Sequence, residues 1–270
     1  MLARIGPSPR LAVELHGPTA IGTPFVLFLH GIGANRHQWR PQLDALADQF
    51  RVAAVDMRGY GDSDDDAGPL DFASFATDVI RVFDHLGVAR AHLVGLSMGG
   101  RVARDVALRS PERIQSLVLA NTTPGFDALS PEAQEKFVTD RTSAMRSGQT
   151  PAEIAPHAAL RVLHPNASPA ARAATIAMMS ALRPASYMKT VAASVEQDRA
   201  APVERITVPT LVITSDRDTV YPSALSAQLA ARIAGAQLIE ISNAGHLTNL
   251  EQPAAFNAAL RAFITRDGNG

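Results

Sequence analysis

The chain has 270 residues, 46% of them hydrophobic and 19% charged, with a formal net charge of -1 and no cysteine. That balance speaks against a nucleic-acid or anionic-membrane partner, and the missing thiols exclude disulfides and thiolate metal sites. The length suits one α/β domain carrying an insertion. Met1 to Pro7 lack the apolar stretch of a secretory signal and no segment reaches membrane-spanning length, so a soluble, cytoplasmic protein acting on a small molecule is expected.

From the N-terminus, residues 11–16 alternate like a strand, and 24–29 form a continuous apolar run of buried-strand length that ends at His30-Gly31-Ile32-Gly33. An amphipathic helix is predicted over 37–49, then a buried strand over 51–55 that runs into Asp56-Met57-Arg58-Gly59. A helix over 71–86 precedes a strand over 91–94, a helix after Gly100 and a strand over 114–120. This βαβ alternation predicts a mostly parallel sheet covered on both faces, with ligand-binding loops at the carboxyl ends of its strands. Residues 124–202 break the pattern. They hold helical segments near 131–147, 151–163, 169–182 and 186–197, each opened by Pro or Ser, and no convincing strand. Strands resume over 208–214 and 236–241, with helices over 223–233 and 253–264, and 266–270 reads as a frayed tail.

Gly95-Leu96-Ser97-Met98-Gly99 lies where a strand gives way to a helix. A serine on so tight a turn takes a strained backbone conformation that pushes its hydroxyl outward, and flanking glycines let strand and helix approach. The amide of Met98 opens the helix, where free N-H donors favour a developing negative charge. Two later strands end at the other groups a serine hydrolase needs. Asp216 and Asp218 follow one, and His246 follows the next. In the order Ser97, Asp218, His246, the histidine is the candidate general base and the carboxylate its orienting partner. The histidines lack metal-ligand spacing and the glycine turns lack a phosphate-binding lysine, so neither metal nor organic cofactor is expected.

Together, His30-Gly31, residues 56–63, Gly95 to Gly100, Asp218 to Pro222 and Gly245-His246 resemble the α/β-hydrolase fold family across nearly the whole chain. The resemblance implies an eight-stranded, mostly parallel sheet with helices on both faces. It also implies a helical cap (124–202) inserted after the sixth strand, between core segments 1–123 and 203–270. It assigns oxyanion-hole amides to Ile32 and Met98 and makes His30 a structural brace for its loop. Asp218, four residues before Pro222, resembles the family's acid; Ser215 stands where the family often has glycine, which keeps Asp216 as a rival.

Ser97 at the elbow, where haloalkane dehalogenases and epoxide hydrolases of this fold carry a carboxylate, implies acyl transfer to water. Residues 95–100, 110–122 and 245–253 are similar to 3-oxoadipate enol-lactonases and also to general esterases and cofactor-free perhydrolases. Carbon-carbon bond hydrolases, a menaquinone-pathway lyase or synthase, and a ligand sensor on the same fold stay open as alternatives. An enol-lactone acid carries a carboxylate, so that reading expects a cation in the cap, from Arg141, His157, Arg161, His164 or Arg183. Trp39 and Met178 are candidates to line the pocket, with packing as the competing role of each.

Overall fold

The computed structural model describes residues 1–66, 68–126, 130–197 and 201–266. Eight strands form one sheet in the order β1-β2-β4-β3-β5-β6-β7-β8. They are β1 (Leu2–Ile5), β2 (Leu11–His16), β3 (Phe25–Leu29), β4 (Arg51–Val55), β5 (Ala91–Leu96), β6 (Ile114–Ala120), β7 (Thr210–Ser215) and β8 (Gln237–Ile241). β2 pairs antiparallel with both β1 and β4, and every other pairing is parallel. Four residues are too few to show a period, so β1 goes unread in the sequence. It exists by pairing Leu2 to Ile5 against Glu14 to Leu11.

Alternation along the strands divides the interior into two cores. Leu27 and Leu29 of β3, with Leu117 and Leu119 of β6, face α2 (Ala73–His85), α3 (Met98–Arg109) and α8 (Ser223–Arg232). Val26, Phe28, Val118 and Ala120 face the opposite side, with α1 (Arg40–Leu46) and α10 (Pro253–Arg266). Successive strand side chains point to opposite faces, so a run such as Phe25–Leu29 is apolar throughout because both faces are covered.

The helix predicted over 37–49 is instead a 3-10 turn (Arg36–Trp39) followed by α1. Pro41 near the start of α1 has no N-H to donate to the preceding turn, so the α-helix begins afresh there. Between β6 and β7 lie α4 (Pro131–Arg146), α5 (Pro151–Val162), α6 (Pro169–Ser180) and α7 (Pro184–Glu196). Ser130, Thr150 and Ser168 cap the first three through side-chain oxygens, and Thr150 with Glu153 forms a capping box. In this insertion α4 packs on α7, and α5 on α6. The α4–α7 pair is tied to the loop after β4, where Arg183 donates to the carbonyls of Gly59 and Ser63, and Ser186 to Asp65. α9 (Thr248–Glu251) is a single turn that the sequence did not announce. No described helix is long and apolar enough to cross a membrane. The tail predicted after Arg266, 267–270, lies outside the described residues, as do 127–129 and 198–200 of the predicted cap.

Candidate active site

Ser97 occupies the turn between β5 and α3 at φ 57° and ψ -118°, a conformation L-residues rarely adopt. Such strain costs about 1–3 kcal/mol and survives only where neighbours over-determine it. Here they do: the Ser97 amide donates to Ala120 O at 2.9 Å, and Thr122 Oγ1 donates to Ser97 O at 2.7 Å. A Cβ on Gly95 would stand 2.1 Å from Gly99 O, and one on Gly99 would stand 2.2 Å from Leu29 O. The elbow therefore admits no side chain at either position.

Asp218 and His246 meet at 2.9 Å between Oδ2 and Nδ1. The other carboxylate oxygen of Asp218 accepts from the amides of Val220 and Tyr221, and Asn121 Nδ2 adds a second donor to Oδ2 at 3.0 Å. Burial pushes this carboxyl up, but the His246 contact and the Tyr221 and Asn121 donors outweigh it and hold it below the ordinary aspartate range. An ionised Asp218 accepts, so Nδ1 carries the proton and Nε2 is the ring nitrogen left to act as acceptor in the neutral imidazole. The rival carboxylate, Asp216, also lines the cavity at this site but is exposed, and its oxygens sit beside Arg217 and the Ala244 amide, not His246. Among the described residues no hydrogen bond joins Ser97 Oγ to His246; such bonds often tighten only when substrate binds.

Ser97, Asp218 and His246 line one cavity of about 870 Å3 with Gly31 and Ile32. The Gly31 amide donates to Gln38 Oε1, and Asn249 Nδ2 donates to Gln38 O, so the loop after β3 is braced from the His246 side of the molecule. His30 is fully buried between Gly31 O at Nδ1 and the Met57 amide at Nε2, and burial holds its pKa below the ordinary histidine value. It is a neutral strut. Met98 is the first residue of α3, so its amide is one of the donors a helix start leaves without an intrahelical acceptor. Its side chain is buried and does not line the cavity.

Arg141, Arg161 and Met178 line the cavity, and His164 does so as well. The Arg141 guanidinium lies 3.5 Å from the centre of the Phe137 ring, and burial lowers its pKa from the usual arginine value. Three of the residues expected at the pocket, Arg183, Trp39 and His157, are absent from its lining. The Arg183 guanidinium turns to the carbonyls of Gly59 and Ser63. Trp39 is fully buried in the second core against Phe28 and Phe256, at the junction where the 3-10 turn runs into α1. His157 is exposed at the edge of the α5 face whose Ile154, Ala155, Ala158 and Arg161 line the cavity, and it does not line the cavity itself. Among the described residues no group of three or more His, Cys, Asp or Glu is disposed to hold a metal ion.

Asn121 and Glu251 escaped the reading of the sequence as site residues. Asn121 follows β6 at φ 43°, and its side chain joins Asp218, Ser215 Oγ and Thr248 Oγ1. The one local signal is an asparagine, a residue that tolerates positive φ, just past a strand's carboxyl end. Ser215 Oγ in turn donates to Gly245 O at 2.6 Å, so the residue that departs from the family's glycine links Asn121 to the His246 loop.

The alpha/beta hydrolase fold family matches residues 24–253. The chain belongs to that family. This hydrolase-fold protein is 32% identical over 247 residues to "3-oxoadipate enol-lactonase 2" of Acinetobacter baylyi, covering 90% of this chain and 89% of the relative. It is also 32% identical over 268 residues to "Putative carbamate hydrolase RutD" of Caulobacter vibrioides, covering 96% and 97% respectively. Among solved structures, a hydrolase from Pseudomonas aeruginosa PA01 superposes with a TM-score of 0.86 at 36% identity, over 97% of this chain and 98% of that one.

Proposed function

We propose that this hydrolase-fold protein is a serine hydrolase that opens a carboxylic ester or lactone through an acyl-enzyme, with Ser97, His246 and Asp218 as its triad. The observation that carries the reading is the Asp218–His246 pair in the same cavity as a strained Ser97 at a helix start. His246 Nε2 takes the proton from Ser97 Oγ as that oxygen attacks the substrate carbonyl, and Asp218 stabilises the imidazolium. The amides of Ile32 and Met98 receive the oxyanion. On collapse His246 returns its proton to the leaving oxygen. Water, activated by the same imidazole, then releases the acid. In a lactone the leaving oxygen stays attached to the acyl chain, so one product leaves at the end.

The substrate we favour is a small ester or lactone bearing a carboxylate, of which 3-oxoadipate enol-lactone is the example the first relative's name supplies. Arg141 supports it: its guanidinium stacks on Phe137 over a cavity wall and forms no salt bridge among the described residues, Asp140 acting on it only at longer range. Arg161 lines the same cavity and acts on Arg141 as a second positive charge, with Asp140 and Asp216 also in the lining. A half-buried guanidinium without a salt-bridge partner gains most from a ligand that brings a carboxylate. The helices α4 to α7 act as the cap that sets this selectivity. The second relative's name favours one other reading, a carbamate as the cleaved group, on the same nucleophile.

The test is a panel of p-nitrophenyl acetate, a neutral lactone, an enol-lactone acid and a carbamate, run with wild type and Ser97→Ala. Turnover of the preferred substrate should fall in Ser97→Ala by about three orders of magnitude or more. Near-normal turnover by that variant overturns the reading, and preference for the carbamate replaces the substrate class.

A further inference from the structure

The carboxylate of Glu251 joins two parts of the molecule that no strand or helix connects. It is buried at the end of α9. Its Oε1 accepts from the amides of Gly245 at 3.0 Å and Leu247 at 3.2 Å, the residues either side of His246. Its Oε2 accepts at 2.7 Å from the amide of His164, which lies just beyond the end of α5 in the helical insertion. Burial pushes this carboxyl above the ordinary glutamate range, while the three amides pull it the other way.

The two segments also touch directly. The His246 amide donates at 2.7 Å to Val162 O, one of the carbonyls that the end of α5 leaves without an intrahelical donor. A Cβ on Gly245 would stand 2.7 Å from His164 N, 2.8 Å from Val162 O and 2.9 Å from Leu163 C, so only glycine lets these backbones close up. Thr219 Oγ1, one residue past Asp218, donates to Arg161 O. The α5–α6 half of the insertion is thus seated on the loops that carry the acid and the base, whereas the α4–α7 half is seated on the loop after β4.

We infer that Glu251 is a positioning residue: by holding the end of α5 and the His246 loop on one carboxylate, it makes the seat of this half-cap and the aim of the imidazole a single variable. The inference rests on His246 being the general base. Closure of α5–α6 over substrate then brings His246 into register with Ser97, and lifting of the half-cap releases both together. The carboxylate is needed because it offers an acceptor in each direction. Glutamine would keep one oxygen for Gly245 and Leu247 but would turn an NH2 toward the His164 N-H, donor against donor.

The test compares the full-length wild type with Glu251→Gln and Gly245→Ala, the second attacking the seam without touching the carboxylate. Hydrogen exchange of 162–165 and 244–248 should speed up together in both variants. With p-nitrophenyl acetate, kcat should fall at least tenfold while KM stays within threefold. Loosening of one segment alone, or a lowered Tm with kcat within twofold of wild type, overturns the inference. Should neither variant fold, wild type decides it: a p-nitrophenyl phosphonate that forms an Oγ–P bond at Ser97 with loss of p-nitrophenolate should slow exchange in both segments in parallel, and protection of only one overturns the coupling. Failure of the phosphonate to label Ser97, read by mass, is instead a failure of the proposed function.

Discussion

Asn121 Nδ2 donates to Asp218 Oδ2 at 3.0 Å, so the carboxylate oxygen that meets His246 Nδ1 is held by two donors from two different strand ends. Asn121→Ala removes one of them and leaves Ser215 Oγ and Thr248 Oγ1 without that partner. Losing a hydrogen bond to a charged group costs about 1.5–3 kcal/mol. We expect kcat/KM to fall by about 10- to 100-fold, carried mainly by kcat, as steady-state kinetics on p-nitrophenyl acetate will read. An unchanged kcat would show that Asp218 needs no help from β6.

The two aspartates after β7 separate cleanly by charge removal. Asp218→Asn should lower kcat by about four orders of magnitude while leaving the fold intact, since an amide at that position favours the wrong tautomer of His246. Asp216→Asn should stay within about twofold, because its oxygens face Arg217 and the Ala244 amide in an exposed turn. The reverse ranking in parallel assays would reassign the acid.

Arg141→Met keeps a long apolar stem against Phe137 and deletes the charge. Turnover of p-nitrophenyl acetate should change by less than about threefold, while kcat/KM for an enol-lactone acid should drop about 100-fold, the scale of one charge-assisted hydrogen bond. Arg141→Lys should not restore it fully, since an ammonium lacks the planar fork. Equal losses on neutral and acidic substrates would make Arg141 a packing residue.

Acid should destabilise the fold through His92, which is buried on β5 with Nδ1 2.7 Å from Ser116 Oγ and has its pKa pushed down to about 4, chiefly by burial. The unfolded histidine takes up its proton near 6.5, so between those values the unfolded state binds more protons and stability rises with pH. The loss on going from pH 7 to 4 is about 3 kcal/mol at most from this group. Burial of His30 acts in the same direction. Thermal unfolding across this range should show a shallower acid limb for His92→Gln than for wild type; superimposable slopes would remove His92 as the cause.

Much of the architecture was legible because it is written in local terms. Runs such as the apolar Phe25–Leu29 and the β-branched, Leu-containing Thr210–Ser215 declare buried strands, and Pro with Ser or Thr marks the starts of α4, α5 and α6. The elbow was legible too, because a Ser between glycines at a strand-to-helix junction is a steric pattern of neighbours. β1 and α9 were not, since each is four residues long and owes its form to what it packs against. Trp39 shows the same limit: its place in the chain beside the loop after β3 suggested a pocket, and only its packing on Phe28 and on Phe256, far along the chain, places it in the second core.

The sequence alone determined the order of elements and the order Ser97, Asp218, His246, since side-chain period, caps and glycine sterics act over a few residues. Only the tertiary structure decided which oxygen His246 meets, that Asn121 shares it, that Arg141 rather than His157 lines the cavity, and that Glu251 ties α5 to the His246 loop. Those contacts span 87 to 97 residues where Glu251 reaches His164 and Asn121 reaches Asp218. Hydrogen bonds at such separations depend on where the sheet brings chain segments, and no periodicity in the chain encodes that meeting.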